Sequence, residues 1–358
     1  MTHPNLALVL SGFPRRSETF ALNEALALEA RGMLAAIFAT KAGDGQAPQP
    51  GSERLLHRVH YLQEGDACAQ AAEMTAHLQG KPLTGIHAYF AHTPAEVAEL
   101  ASRKLNLPFG FSTHAKDARK VAPNELARRA NAAACVVACN PDVASELRQI
   151  GADVTLLPHG VDIQRFVPTP LPLNLPIRLL AVGRLVEKKG FDVLLKSLVE
   201  LQFPFHLQII GDGPKRQLLA DFIEQQHLTN QVTLTPSMTH EQLAHAYATA
   251  HIVVAPSVVD RNGDRDGLPN VVLEAMASAR PVVASDVAAI SSAIRHEETG
   301  LLTAPGKSSA LAAALTRLAF DPSLRQSLGQ RARACAEKQF SVGSCSTRFC
   351  DYLEQVYR

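Results

Sequence analysis

The sequence predicts an α/β protein made of two doubly wound parallel-sheet domains. Three observations carry this. Apolar runs of strand length alternate with helix-length segments along almost the whole chain. The alternation stops once, at a proline-rich stretch, and then restarts. The chain has 358 residues, long for one core and ordinary for two.

Leu6–Leu10 reads as a first buried strand, followed by the turn Ser11-Gly12-Phe13-Pro14. A helix is expected from about Thr19 to Ala30, where Arg31-Gly32 stops it. Met33–Ala39 is a second strand, and Lys41–Ser52, rich in Gly, Pro and Gln, a loop. Then come strand Val59–Leu62, helix Ala67–Leu78, strand Ile86–Phe90 and helix Pro94–Leu105. Strand Phe109–Ser112 runs into Thr113-His114-Ala115-Lys116-Asp117. Helix Pro123–Asn131 precedes strand Cys135–Cys139. Asn140-Pro141-Asp142 opens the next helix, since Asn caps and Pro fits the first turn. Val154–Leu157 closes this half.

Phe166 to Pro176 holds four prolines and no regular period, as a semi-rigid linker does. Beyond it, strand Ile177–Val182 leads to the loop Gly183–Gly190 and helix Phe191–Leu201. Strand Phe205–Ile210 ends at Gly211-Asp212-Gly213-Pro214, before helix Lys215–Gln226. Strand Val232–Leu234, helix His240–Ala248 and strand Ile252–Ser257 follow. Next comes the loop Asp260–Asn270, a helix Val271–Ala279 and strand Pro281–Ala284. Strand Gly300–Thr303 and helix Ser308–Phe320 complete the pattern, and Pro322–Arg358 is helical with a break near Ser341-Val342-Gly343. The domains are therefore placed at 1–167 and 177–338, with the linker at 168–176. A terminal helix at 339–358 is expected to pack back on the first domain. Ligands in such sheets sit at the carboxyl ends of the strands, and two such edges are expected to face one another across a cleft.

Composition narrows the function. Hydrophobic residues make up 46% and charged residues 19%, which suits packed cores. With 35 basic and 34 acidic residues the net charge is +1, which argues against a nucleic-acid partner. No signal peptide and no run of 18 apolar residues is present, and the six cysteines form no CxxC pair, so a cytoplasmic protein with reduced thiols is expected.

The chemistry is concentrated in two stretches of the second domain. Arg184 and Lys189 lie in a glycine-flanked loop at a strand's carboxyl end, where a guanidinium fork and an ammonium suit a diphosphate. Asp266 and Glu274 bracket the start of a helix, whose dipole and free amides favour an anion. Pro269 is expected in the first turn, leaving the amides of Asn270 and Val271 for phosphate oxygens. Asn270 and Glu274 are four apart and share a face, and a carboxylate there can accept from a sugar diol. In the first domain, His114 follows a strand end, and Glu18 stands at a helix start. His57 and His60, or His87 and His92, are not at ligand spacing with cysteines, so no metal is expected. No GxGxxG follows the first strand, Gly211-Asp212-Gly213 lacks a third glycine, and no GxxxxGK[ST] is present.

Three segments, Gly183–Leu195 (GRLVEKKGFDVLL), Gly211–Pro214 (GDGP) and Asp266–Asp286 (DGLPNVVLEAMASARPVVASD), resemble the carboxyl-terminal half of family 4 of the retaining glycosyltransferases. Phe111–Asp117 (FSTHAKD) and Leu156–Phe166 (LLPHGVDIQRF) resemble its amino-terminal half and hinge. Ser11–Phe20 and Asp260–Asn270 are similar to members that build bacterial exopolysaccharide and lipopolysaccharide. The resemblance implies the GT-B fold, two Rossmann-like domains, and a sugar transferred with retention from a UDP- or GDP-sugar. It implies that Arg184 and Lys189 neutralise the diphosphate, Glu274 holds the ribose and Asp266 the donor sugar. Asn270 and Val271 meet phosphate through their amides, and Gly183, Gly267 and Leu268 belong to the same donor site. Pro236 and Met238 lie at the base, and His114 touches the donor sugar. Gly12, Glu18 and His114 form the acceptor side. The family's first carboxylate is usually Glu, and here it is Asp266, one methylene shorter.

On this resemblance neither cofactor nor metal is needed, because the basic residues and helix amides stand in for a divalent ion. The acceptor is a glycan or lipid-linked glycan at the inner face of the membrane. Arg15, Arg16, Lys116, Arg119 and Lys120 read first as an ordinary solvated surface and second as a basic rim near anionic lipid for peripheral association. The alternatives on the same fold are a sugar-nucleotide epimerase or hydrolase, and a non-catalytic nucleotide-sugar-binding module.

Overall fold

A computed structural model describes residues 3–15, 18–45, 49–114, 118–170 and 175–358. Their contacts divide the chain into two compact units. One contains the residues up to Gly160 together with Gly343–Arg358, and the other runs from Val161 to Val342.

The first unit is a seven-stranded parallel sheet. Its strands are β1 (Leu6–Leu10), β2 (Leu34–Ala39), β3 (Val59–Tyr61), β4 (Gly85–Tyr89), β5 (Phe109–Thr113), β6 (Cys135–Ala138) and β7 (Thr155–Leu156). Their order is β3-β2-β1-β4-β5-β6-β7. The order reverses between β1 and β4, which pair from Leu6 opposite Gly85 to Val9 opposite Ala88. Every residue of β1 is buried, because helices cover both faces of a parallel sheet. The two-residue strand period divides them: Ala7 and Val9 join one apolar layer, and Leu6, Leu8 and Leu10 the other.

The terminal helix Val342–Tyr357 belongs to the second of these layers through Phe349, Cys350, Leu353 and Tyr357. Tyr357 is 2% exposed. Its hydroxyl donates to Ile86 O at 3.0 Å and lies 3.2 Å from His87 Nδ1. Gly85 and Gly110 make room for it, since a Cβ at either position would run into the Tyr357 side chain.

The second unit is a six-stranded parallel sheet of β8 (Ile177–Val182), β9 (Phe205–Ile210), β10 (Val232–Thr235), β11 (Ile252–Ala255), β12 (Val282–Ser285) and β13 (Leu301–Thr303). The order is β10-β9-β8-β11-β12-β13, so the reversal falls between β8 and β11. The loops leaving the carboxyl ends of these two strands therefore emerge side by side, where doubly wound sheets place their ligands.

The expected fold class is confirmed: both units are doubly wound parallel sheets. Several elements differ in detail. The helix after Pro269 runs Asn270–Ala277, and Pro269 is its extended N-cap rather than part of its first turn. Pro256 cannot donate to a sheet ladder, and β11 ends before it, at Ala255. Phe90 adopts a left-handed φ of 81°, which ends β4 at Tyr89. Glu187–Lys189 forms a short 3₁₀ turn inside the expected loop, as do Ser52–Arg54 and Leu56–Arg58 elsewhere. The break between the last two helices falls at Phe340-Ser341. Residues 171–174 of the proline-rich stretch, and Arg16 and Lys116 of the basic rim, lie outside the described residues. All six cysteines are free thiols. Among the described residues, no helix is long and apolar enough to cross a membrane.

Candidate functional site

In the second unit the site starts from two loops held against each other. Gly190 has a φ of 62° and caps the helix Phe191–Leu198. A side chain there would strike the carbonyl of Pro256, just beyond β11. The Val258 N–H donates to Lys188 O at 2.8 Å, which ties the loop after β11 to the loop after β8. Only a glycine permits this approach, and it sets the two lysines beside the acidic segment.

Lys189 Nζ lies 2.8 Å from Asp266 Oδ2, and Lys188 Nζ lies 3.5 Å from Asp266 Oδ1. Lys188 also pairs with Asp264 at 3.2 Å, and Ser257 Oγ is 3.2 Å from Asp266 Oδ2. Gly267 and Leu268 continue this loop into Pro269 and are half-buried. Gly183, at the end of β8, would carry any Cβ against the stem of Lys189. Arg184 is exposed and makes no ion pair among the described residues. The structure thus joins Lys189 to Asp266 and leaves Arg184 exposed.

The helix Asn270–Ala277 then carries the second carboxylate. Its first turn is capped by no side chain, and Val272 N–H turns back to Pro269 O at 3.0 Å. Among the described residues, the N–H groups of Asn270 and Val271 have no partner, as expected at a helix start. The Asn270 side chain is exposed, whereas Glu274 is 8% exposed. Tyr247 explains the difference: its hydroxyl donates to Glu274 Oε2 at 2.8 Å and approaches Val271 O at 3.4 Å. Burial pushes the Glu274 carboxyl up to about 7, against the opposing pull of Tyr247, Lys189 and Arg165. Pro236 and Met238 lie in the loop after β10. That loop is tethered where the Ser237 N–H donates to Asp212 Oδ2 at 2.7 Å, and this bond lowers the Asp212 pKa.

In the first unit, Gly12 and Glu18 line one pocket together with Phe13, Arg15 and Ser52. Glu18 pairs with Arg15 at 2.9 Å. His114 does not line this pocket. It follows β5 and sits in an aromatic setting, with Phe20 at 4.3 Å and Phe90 at 5.1 Å between ring centroids. Its Nε2 lies 2.8 Å from Nε2 of His159, and His159 Nδ1 lies 3.0 Å from Glu24 Oε1. Cys139 brings its sulfur within 4.8 Å of both ring nitrogens. Two nitrogens on one tetrahedral zinc stand about 3.3 Å apart, so the 2.8 Å separation is that of a hydrogen bond. Arg119 of the expected rim is engaged by Asp142 at 3.2 Å and Glu146 at 2.7 Å.

Two family patterns match the chain. The pattern described as Glycosyltransferase Family 4 takes in residues 17–165, and that described as Glycosyl transferases group 1 takes in residues 176–321. The chain belongs to this glycosyltransferase family. The amylovoran biosynthesis glycosyltransferase AmsK of Erwinia amylovora is 32% identical over 187 residues, 51% of this chain and 46% of that protein. The alpha-D-kanosaminyltransferase of Streptomyces kanamyceticus is 31% identical over 182 residues, 50% of this chain and 45% of that protein. The matched chain spans less than half the length of either relative. Anabaena Alr3699/HepE, solved in complex with UDP, aligns with a TM-score of 0.83 at 18% identity, over 98% of this chain and 100% of that one. The fold is the GT-B fold that the sequence led us to expect.

Sequence reasoning missed several residues that this glycosyltransferase-family chain places around the predicted ones. Lys188 reads as an ordinary surface lysine until its two acidic partners come from a loop some 76 positions on. Tyr247 and Glu24 sit in helices with no motif to mark them. His159 lay inside the segment Leu156–Phe166, but its neighbour His114 is 45 positions away. Each partnership is a tertiary contact between loops or helices, and no local spacing reports it.

Proposed function

We propose that the chain transfers a sugar from a UDP- or GDP-sugar to a glycan or lipid-linked acceptor, with retention at the anomeric carbon and without a metal. The observation that carries this reading is the Lys189–Asp266 pair beside the helix start at Asn270. A diphosphate gains charge as its bond to the sugar breaks, and a lysine, an exposed Arg184 and free helix amides stabilise charge where it develops. Asp266 takes the sugar hydroxyls and Glu274 the ribose. Pro236 and Met238 take the base. His114 is assigned to the donor sugar, and Gly12 and Glu18 to the acceptor. The leaving phosphate accepts the acceptor's proton on the face where the new bond forms. Relatives named for amylovoran and lipopolysaccharide core biosynthesis support a role in bacterial polysaccharide assembly. Peripheral binding to the inner membrane face belongs to the same proposal.

The test is donor-dependent transfer measured with and without EDTA. Incubation with UDP-glucose, GDP-mannose and related donors is expected to release nucleoside diphosphate only when an acceptor extract is present, with EDTA making no difference. Rapid release without acceptor, or strict dependence on a divalent ion, would contradict it.

A further inference from the structure

Four residues from four separate elements form a hydrogen-bonded chain that ends on His114. The Tyr89 hydroxyl donates to Glu24 Oε2 at 2.6 Å. Glu24 Oε1 lies 3.0 Å from His159 Nδ1, and His159 Nε2 lies 2.8 Å from His114 Nε2. Tyr89 is 0% and Glu24 5% exposed. Phe20 covers both imidazoles, stacking on His159 at 4.4 Å.

The proton positions follow from what each group can do. An ionised carboxylate only accepts, so Glu24 takes a proton from Tyr89 on one oxygen and from His159 Nδ1 on the other. Two ring nitrogens at 2.8 Å need one proton between them. A buried carboxylate needs a compensating charge, and among the described residues the one basic side chain that meets Glu24 directly is His159, which compensates it only when protonated. His159 is therefore the doubly protonated ring, and His114 Nε2 accepts from it.

We infer that Glu24 and His159 are positioning residues for His114: their carboxylate–imidazolium pair fixes the His114 ring as the neutral Nδ1–H tautomer, with its Nε2 lone pair occupied. The remaining N–H of His114 is then on Nδ1, an atom buried in this structure, and the ring does not take the acceptor's proton through Nε2. The electrostatics agree. Burial opposes charge on His159, but Glu24 and the Cys139 sulfur outweigh it and raise the group to about 10. Burial and the neighbouring His159 hold His114 well below its ordinary value. The titratable groups around the pair are Glu24, Cys139 and His114, with Tyr89, Cys345 and Cys350 beyond Glu24.

The inference rests on the transferase reading for its consequence, though not for its proton positions. The experiment is imidazole ¹⁵N NMR of the full-length protein from pH 5.5 to 9, assigned with His159→Asn and His114→Asn. The expected result is one ring protonated on both nitrogens throughout and one neutral Nδ1–H ring in contact with it. A second arm measures kcat against pH with UDP-glucose or GDP-mannose, whichever supports transfer. Wild type is expected to be flat to about pH 9. Glu24→Gln removes the countercharge, so His159 loses its proton at lower pH. In that variant kcat is expected to fall at least tenfold between pH 6 and 8, with KM for the donor changed less than threefold. An Nε2–H tautomer on His114, an ordinary titration of His159 near 6.5, or stoichiometric zinc lost in His159→Asn would overturn the inference. A flat profile in folded Glu24→Gln would do the same. Wild type without any transfer but with the expected tautomers would instead sink the transferase reading and leave the inference standing.

Discussion

Lys189 Nζ lies 2.8 Å from Asp266 Oδ2, so the cation assigned to the donor's diphosphate and the carboxylate assigned to its sugar neutralise each other. Lys188 holds the other carboxylate oxygen at 3.5 Å. A ligand carrying both phosphate and hydroxyl groups can exchange for this pair, because it offers each half a replacement partner. A phosphate takes the lysine while a sugar hydroxyl takes the carboxylate.

Asp266→Asn follows from that exchange. It removes the competitor for Lys189, so affinity for a nucleoside diphosphate should hold or rise. It also removes the charged acceptor for the sugar, a loss of roughly 1.5–3 kcal/mol in a charge-assisted hydrogen bond. Transfer should therefore fall by about 10- to 100-fold while UDP or GDP binding is retained, as read by steady-state kinetics and calorimetry on the same sample.

Glu274 makes stability depend on pH. Its ordinary value is 4.5, and burial raises it to about 7 in the folded protein. The folded state thus holds its proton where the unfolded chain has lost it. This contribution to stability is full below pH 4.5 and is lost as pH rises to about 7, by up to about 3 kcal/mol. Glu274→Gln keeps an acceptor for Tyr247 and no longer titrates. The variant's Tm relative to wild type should rise between pH 5 and pH 8. An unchanged difference would show that the carboxyl ionises near its ordinary value.

Tyr357 fills the space left by Gly85 and Gly110, far along the chain from both. Truncating a buried aromatic to alanine costs about 3–5 kcal/mol. Tyr357→Ala and Gly110→Ala, which forces Tyr357 and Cys135 apart, should both lower the denaturant midpoint of the first unit strongly. Tyr357→Phe keeps the ring and gives up the hydrogen bond to Ile86 O, for a loss of about 1 kcal/mol.

Much of this was legible in the sequence. Strand-length apolar runs gave every strand but could not order them. The reversal between β8 and β11 makes Lys189 and Asp266 neighbours, and it is a property of the sheet alone. Glycine spacing marked the loop after β8, because Gly183 and Gly190 stand where chain must pass chain. Helix periodicity placed Asn270 and Glu274 on one face. It did not show that Tyr247 draws Glu274 into the interior while Asn270 stays exposed. Proline rules put Pro269 in the first turn, and the backbone makes it the N-cap instead. The ring pair His114–His159 escaped a search for closely spaced ligands because its members follow different strands.

The most direct test is calorimetric binding of UDP and GDP to wild type and to Lys189→Ala. The lysine has a partner in Asp266 that Lys188 also serves, so the variant should stay folded. One of the two nucleotides is expected to bind wild type, and the variant to bind it about 10- to 100-fold more weakly, the scale of one charge-assisted phosphate contact. Absence of binding by either nucleotide, or equal affinity in a folded Lys189→Ala variant, would contradict the assignment of this site to a nucleotide-sugar donor.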